Sequence, residues 1–176
     1  MRPAAARSMH PAVSLLEKTP VVFETVLRDL PEELLHWKPG AERWSIAEVL
    51  GHLADIEEVY ADRVRRIITE DKPALRKYDL EGAKASGEYT RRSAIENLAI
   101  FSKTRHSTVI LLKSIPASSG ERTAMHSELG AIRLDEILNE WASHDLGHLR
   151  QIAELYRAHA FYPNSGPFQR YSNPKP

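Results

Sequence analysis

The chain carries eight histidines and no cysteine, so imidazole is the side chain best placed to do chemistry here. His144 and His148 lie four residues apart in the apolar-periodic stretch from Trp141 to Ile152. A helix turns about 100° per residue, so side chains at that spacing diverge by only about 40° and share a face. Two such imidazoles can meet one cation. His52 stands two turns into a second amphipathic segment, beside Leu50, Leu53 and Ile56. A buried imidazole needs a hydrogen-bond partner or a metal, since its desolvation is otherwise uncompensated. Three neutral imidazoles at about 2.0–2.1 Å leave one coordination position open, a pattern suited to catalytic zinc and equally acceptable to nickel. The alternative is three structural histidines, each satisfied by hydrogen bonds. With no thiolate in the chain, cysteine metal sites and disulfides are excluded, and thiol chemistry would need a thiol from outside.

Helix phase supplies the candidates around these ligands. Glu48 lies one turn before His52, Asp55 nearly one turn after it, and Glu140 one turn before His144. Each could orient an imidazole or move a proton, or serve only as a cap or solvated ion-pair partner. Glu48 is already accounted for by a capping box. Gln151, three residues beyond His148, is within reach of the site, whereas Asp145 is turned about 100° away. His126 reads as a solvated loop histidine that could line the entrance. Arg150 could hold an anionic group but reads as helix surface. Trp44, Trp141 and Tyr60 read as core rather than substrate stack, and His10, His36, His106 and His159 as ordinary polar residues.

The elements that must position these groups are helical throughout. A first segment runs from Pro11 to Leu30 and is interrupted by Pro20, which either kinks it or sits in the first turn of a piece capped by Thr19. Ser45-Ile-Ala-Glu48 is a capping box opening a second helix to about Thr69, and Ser93-Ala-Ile-Glu96 opens a third that ends before Pro116. A fourth spans about Leu134 to Ala158. The stretch from Asp71 to Arg92 holds Pro73, Gly82 and Gly87, and reads as a long crossover with at most one short helix. The expected fold is all-α, a four-helix bundle over residues 11–160 with that crossover between the second and third helices. No strand is called for. Residues 1–10 read as a frayed start. Residues 161–176 form an irregular proline-rich tail whose aromatics suggest packing on the bundle.

At 176 residues the chain suits one domain. Lys plus Arg and Asp plus Glu are both 24, a balance that argues against nucleic acid or an anionic membrane as partner. The start has no apolar run after its arginines, and no window is long enough to span a bilayer, so a cytoplasmic protein is the default.

Two motifs carry a family resemblance: Trp44-Ser-Ile-Ala-Glu-Val-Leu-Gly-His52-Leu-Ala-Asp55 and, about ninety residues on, His144-Asp-Leu-Gly-His148-Leu-Arg-Gln-Ile152. In this order and separation they resemble the DinB/YfiT-like superfamily, from about Val13 to Arg157. The resemblance implies an up-down-down-up bundle, often a homodimer, holding a divalent zinc or nickel ion on residues that match His52, His144 and His148. It also implies a hydrolase, or a transferase using a low-molecular-weight thiol such as bacillithiol or mycothiol, acting on a small-molecule substrate. The rival expectation is a stress-response or ligand-binding protein whose metal is structural or sensing.

Overall fold

The computed structural model describes residues 10–172. Its body is four long helices, α1 (Pro11–Leu27), α3 (Ile46–Thr69), α6 (Ala94–Ser114) and α7 (Leu134–Tyr156), joined through the short helices α2 (Glu32–His36), α4 (Leu80–Ala85) and α5 (Glu88–Arg91). α6 packs against α1 and α3, and α7 does the same from the other side. This is an all-α four-helix bundle with the expected up-down-down-up course. No helix among the described residues is long and apolar enough to cross a membrane.

Both capping boxes form. Ser45 Oγ accepts from the Glu48 amide while Glu48 Oε2 accepts from the Ser45 amide, and Ser93 and Glu96 do the same for α6. These reciprocal bonds satisfy backbone donors that each first turn would leave orphaned, and so fix where α3 begins relative to His52. α1 stops three residues earlier than its apolar pattern suggests, and Asp29 just beyond takes a left-handed backbone with φ 60°.

Pro20 neither breaks nor caps α1, which is continuous through it. Proline has no N–H, so the Leu16 carbonyl one turn earlier loses its helical donor. Arg105 of α6 supplies the replacement: its Nη1 donates to Leu16 O at 3.0 Å. The same guanidinium donates to both carboxylate oxygens of Glu57 on α3 (2.8 and 2.7 Å) and of Asp145 on α7 (2.6 and 3.1 Å). Thr19 Oγ1 accepts from Arg105 at 2.7 Å and donates to Asp145 at 2.6 Å, and Trp141 Nε1 donates to Glu57 at 3.1 Å. Arg105 is 1% exposed and Glu57 and Asp145 are fully buried, so this polar layer joins all four long helices from inside. It separates two apolar clusters, one around Leu16, Val64 and Trp141, the other around Phe23, Leu50, Phe101 and Ile152.

The absence of strands is corrected by a small sheet, in which β1 (Ala74–Leu75) pairs in parallel with β2 (Thr123–His126), and β2 pairs antiparallel with β3 (Gly130–Arg133). Strands of two to four residues are too short to show alternation. Gly130, at φ 75°, closes the hairpin. The sheet ties the crossover to the segment leading into α7. The crossover itself holds two short helices, α4 and α5, rather than one.

After α7 the chain continues into a single π turn (Arg157–Phe161) and then 3-10 turns to Tyr171, more regular than a proline-rich tail suggests. Phe161 packs on Tyr156, but Phe168 and Tyr171 are largely exposed. The expected frayed start falls at residues 1–9, outside the described residues, apart from His10, whose Nδ1 caps α1.

Candidate metal centre

α3 and α7 bring three imidazoles together at the bottom of a cavity of about 830 Å³. His52 Nε2 lies 3.1 Å from His144 Nε2, which lies 3.2 Å from His148 Nε2. The three nitrogens all sit within 4.8 Å of one another. Two ligands at 2.0–2.1 Å from one tetrahedral ion would be about 3.3–3.4 Å apart, so the spacing is that of a ligand set.

The outer nitrogens decide whether lone pairs or protons face inward. Asp55 is a carboxylate and only accepts, so the Tyr78 hydroxyl bonded to it must donate its one proton there. The Tyr78 oxygen is then left to accept from the Tyr89 hydroxyl at 2.8 Å. Tyr89 in turn accepts from His52 Nδ1–H at 3.1 Å. Burial, followed by the hydrogen bond to Asp55, pushes the Tyr78 phenol far above its ordinary range, and burial raises that of Tyr89, so both stay protonated. His52 is thereby fixed as the Nδ1–H tautomer with a bare Nε2. Gln151 Oε1 accepts from His148 Nδ1–H at 2.9 Å, which leaves His148 Nε2 bare as well.

His144 completes the test of fit. A proton on its Nε2 could serve one neighbouring lone pair but not both, while its buried Nδ1 has no partner in either tautomer. A cation satisfies all three inward nitrogens at once. Burial first, then the charge of the neighbouring imidazoles, holds His52 down to about 3 and His144 to about 4, and burial also lowers His148. Neutral imidazole is the form that ligates.

Gly51 shows why α3 carries a glycine before its histidine. A Cβ there would collide with the Tyr89 carbonyl oxygen and the backbone around it. The close approach of α5 to α3 delivers Tyr89 to His52. Trp44, just before α3, forms a wall: its ring lies 5.1 Å from that of His52 and parallel to that of His148 at 6.3 Å.

The other candidates divide. Asp55 reaches His52 only through two tyrosines, and Gln151 contacts His148 directly. Glu140 lines the cavity without touching an imidazole. Glu48 is turned away, held by its capping bond and by Lys38 at 2.6 Å; burial is the largest single influence and raises its carboxyl, but Lys38 and Ser45 together outweigh it and lower the carboxyl on balance. Asp145 faces the Arg105 layer, as its phase requires. Arg150 is exposed and lines no part of the cavity. His126 is corrected: it lies on β2, is 8% exposed, and forms part of the cavity wall. Tyr60 is both core and wall, stacked on the buried Trp141 at 4.9 Å. Tyr78, Tyr89 and Arg63 were not singled out by the sequence pattern, because the crossover and sheet bring them or their partners to the cavity and leave no periodic trace.

The bundle is thus built around an inward three-histidine set that could hold a metal ion, and comparison with known proteins gives its family. The model of the DinB superfamily matches residues 15–152, and the chain belongs to that superfamily. A protein of Oceanobacillus iheyensis, named as a candidate metal-dependent hydrolase, is 26% identical over 143 residues, spanning 81% of this chain and 83% of its own. YfiT of Bacillus subtilis, named likewise, is 23% identical over 146 residues, 82% of each chain. The solved structure of YfiT, described as a probable metal-dependent hydrolase with an unusual four-helix bundle topology, superposes with a TM-score of 0.77. It covers 89% of this chain and 90% of its own at 21% identity.

Proposed function

We propose that this chain is a metal-dependent hydrolase of a small-molecule substrate, with one zinc or nickel ion held by His52, His144 and His148. The observation that carries the reading is the convergence of three inward Nε2 atoms, two of them fixed as lone pairs by their outer hydrogen bonds, on the floor of a cavity of ligand size. A divalent ion held by these three residues would supply Lewis acidity near neutral pH, with room for water or substrate beside it. The chain's own groups do the rest. The Asp55–Tyr78–Tyr89 file orients His52, Gln151 orients His148, and Trp44 shields the imidazoles from one side. Glu140 is the cavity carboxylate with no ion pair or hydrogen bond among the described residues, and is the candidate proton acceptor. Transfer to a low-molecular-weight thiol would use the same cavity, but the names of the relatives favour hydrolysis.

Elemental analysis of protein purified without an affinity tag should give one divalent ion per chain, and His148→Ala should lose it. Equal metal content in both proteins would end the proposal. Chelation should abolish hydrolysis of an ester and amide panel and one metal should restore it, with the helical signal intact throughout. Unfolding on chelation would instead mark the ion as structural. Glu140→Gln should lower turnover at unchanged metal content.

A further inference from the structure

The far wall of the cavity holds two hydrogen-bond donors facing each other with no acceptor between them. His126 Nδ1 lies 3.3 Å from the backbone amides of both Glu128 and Leu129. Two N–H donors aimed at one ring nitrogen require it to be the acceptor, so the ring proton sits on Nε2. That Nε2–H faces Arg63 Nη2 at 3.5 Å, and a guanidinium never accepts. Burial and the Arg63 charge both lower the pKa of His126, which keeps the ring neutral and this tautomer in place.

Arg63 is half-buried on α3 and makes no ion pair among the described residues. Its only other hydrogen bond among the described residues is to the Arg76 carbonyl at 2.9 Å, and it lies 5.8 Å over the Tyr60 ring. The acidic groups around the cavity are held elsewhere or out of reach. Glu128 is bound by Lys77 at 2.7 Å, Glu136 by Arg133, and Glu140 stands on the α7 side near Tyr60. Asp62, the exposed neighbour of Arg63 on α3, favours its charge from a distance but forms no ion pair with it. A partly desolvated guanidinium with no ion-pair partner, beside a buried imidazole whose N–H lacks an acceptor, is a costly arrangement that one bridging oxyanion relieves.

We infer that Arg63 and His126 form an oxyanion subsite, so that the substrate is a small molecule bearing a carboxylate or phosphate at one end. This rests on the proposed function only for the direction of the other end. Tyr60 links the two sites: its ring is 5.8 Å from the Arg63 guanidinium carbon and 6.0 Å from the His144 ring. The anchor and the histidines are therefore at most about 12 Å apart, within the span of a small-molecule site. The cavity lining also includes the apolar Ile56, Ile132 and Ile137. The substrate class is thus an acid with a hydrolysable group beyond its anionic end.

The test uses metal-stripped protein, so that an anion bound to the metal cannot be mistaken for one bound here. Imidazole nitrogen NMR should first show His126 as the Nε2–H tautomer. Titration with acetate and, separately, inorganic phosphate should shift the His126 Nε2–H signal saturably, and the stronger of the two identifies the anion. Arg63→Gln should weaken that binding by at least about tenfold and His126→Phe comparably, as expected for charge-assisted bonds, whereas Arg63→Lys should retain part of it. Dispersed amide spectra establish that each variant is folded. A His126 Nδ1–H tautomer, no saturable shift with either anion, or equal affinity in Arg63→Gln overturns the inference. Because no metal is present, these outcomes are independent of whether the three-histidine site binds an ion.

Discussion

Replacing Arg105 by methionine tests how the bundle is held from within. Methionine can fill much of the space but leaves the Glu57 and Asp145 carboxylates buried without a cation, and leaves the Leu16 carbonyl, which Pro20 has already deprived of its helical donor, only the longer 3.3 Å bond from Thr19 Oγ1. Breaking a buried ion pair from one side typically costs about 3–5 kcal/mol. That is a large part of the roughly 5–15 kcal/mol that holds a domain together. With a urea slope of about 2 kcal/mol per molar, the midpoint should fall by about 1.5–2.5 M. An all-apolar replacement of Arg105, Glu57 and Asp145 should recover less than such swaps usually do. It would orphan the Trp141 N–H at about 1–3 kcal/mol, and would leave the Leu16 carbonyl and the Thr19 hydroxyl only their long mutual bond of 3.3 Å. Pro20→Ala restores an N–H to the Leu16 carbonyl, so it should stabilise the Arg105→Met background more than the wild type, by about 1 kcal/mol. Urea unfolding followed by far-UV circular dichroism reads all of these. A loss below about 1 kcal/mol for Arg105→Met, or no coupling to Pro20, would refute the reasoning.

Tyr89→Phe leaves His52 Nδ1–H without its acceptor and should weaken metal binding by about 10–100-fold with helicity unchanged; competition against a chelator measures it, and unchanged affinity would remove the tyrosine file from the account. Gly51→Ala forces α5 away from α3 and should lower both stability and metal affinity, whereas Gly147→Ala, on α7 with open space around the new methyl, should not; equal effects in a melting and metal-titration series would contradict the close approach. In metal-stripped protein the folded-state values of about 3 for His52 and about 4 for His144 lie below the ordinary 6.5. Their stability is therefore complete above pH 6.5 and is lost as pH falls through 4 towards 3. Burial raises Glu57 from 4.5 to about 7 against the pull of Arg105, so its contribution is complete below pH 4.5 and is lost as pH rises through 7. Urea midpoints across this range should fall at both ends, and Glu57→Gln should flatten only the alkaline side.

The four helices and the three histidines were legible because a helical site is written in spacing: His144 and His148 one turn apart, His52 two turns from a capping box that forms as read. The wall opposite was not. Tyr78 and Tyr89 sit in the crossover, where nothing local says which way a tyrosine faces; only Gly51, a helix-interior glycine beside His52, hinted that another backbone comes close. His126 passed for a loop residue because a four-residue strand has no period to detect, and its partner Arg63 looks like any arginine on an amphipathic helix. Arg105 was invisible for the opposite reason. A lone charged residue among the apolar positions of α6 reads as solvent-facing, and only the three-dimensional convergence of Glu57, Asp145 and the carbonyl freed by Pro20 makes its burial tolerable.

The polar layer and the candidate metal centre are adjacent because His144 and Asp145 are adjacent. Neighbouring residues on α7 point about 100° apart, one towards the histidine cluster and the other towards Arg105. Apolar contacts alone constrain the sliding of one helix along another only weakly, and a one-turn slip displaces a side chain by about 5.4 Å. A ligand set tolerates only about 0.5 Å. The bidentate contacts from Arg105 to Glu57 on α3 and Asp145 on α7 admit a single register between the two helices that carry the proposed metal ligands. The layer's desolvation cost is therefore offset by precision at the site as well as by stability. Arg105→Met should accordingly weaken metal binding even at temperatures where the fold is fully populated. A variant that is destabilised yet binds metal with wild-type affinity would show that the apolar packing sets the register alone.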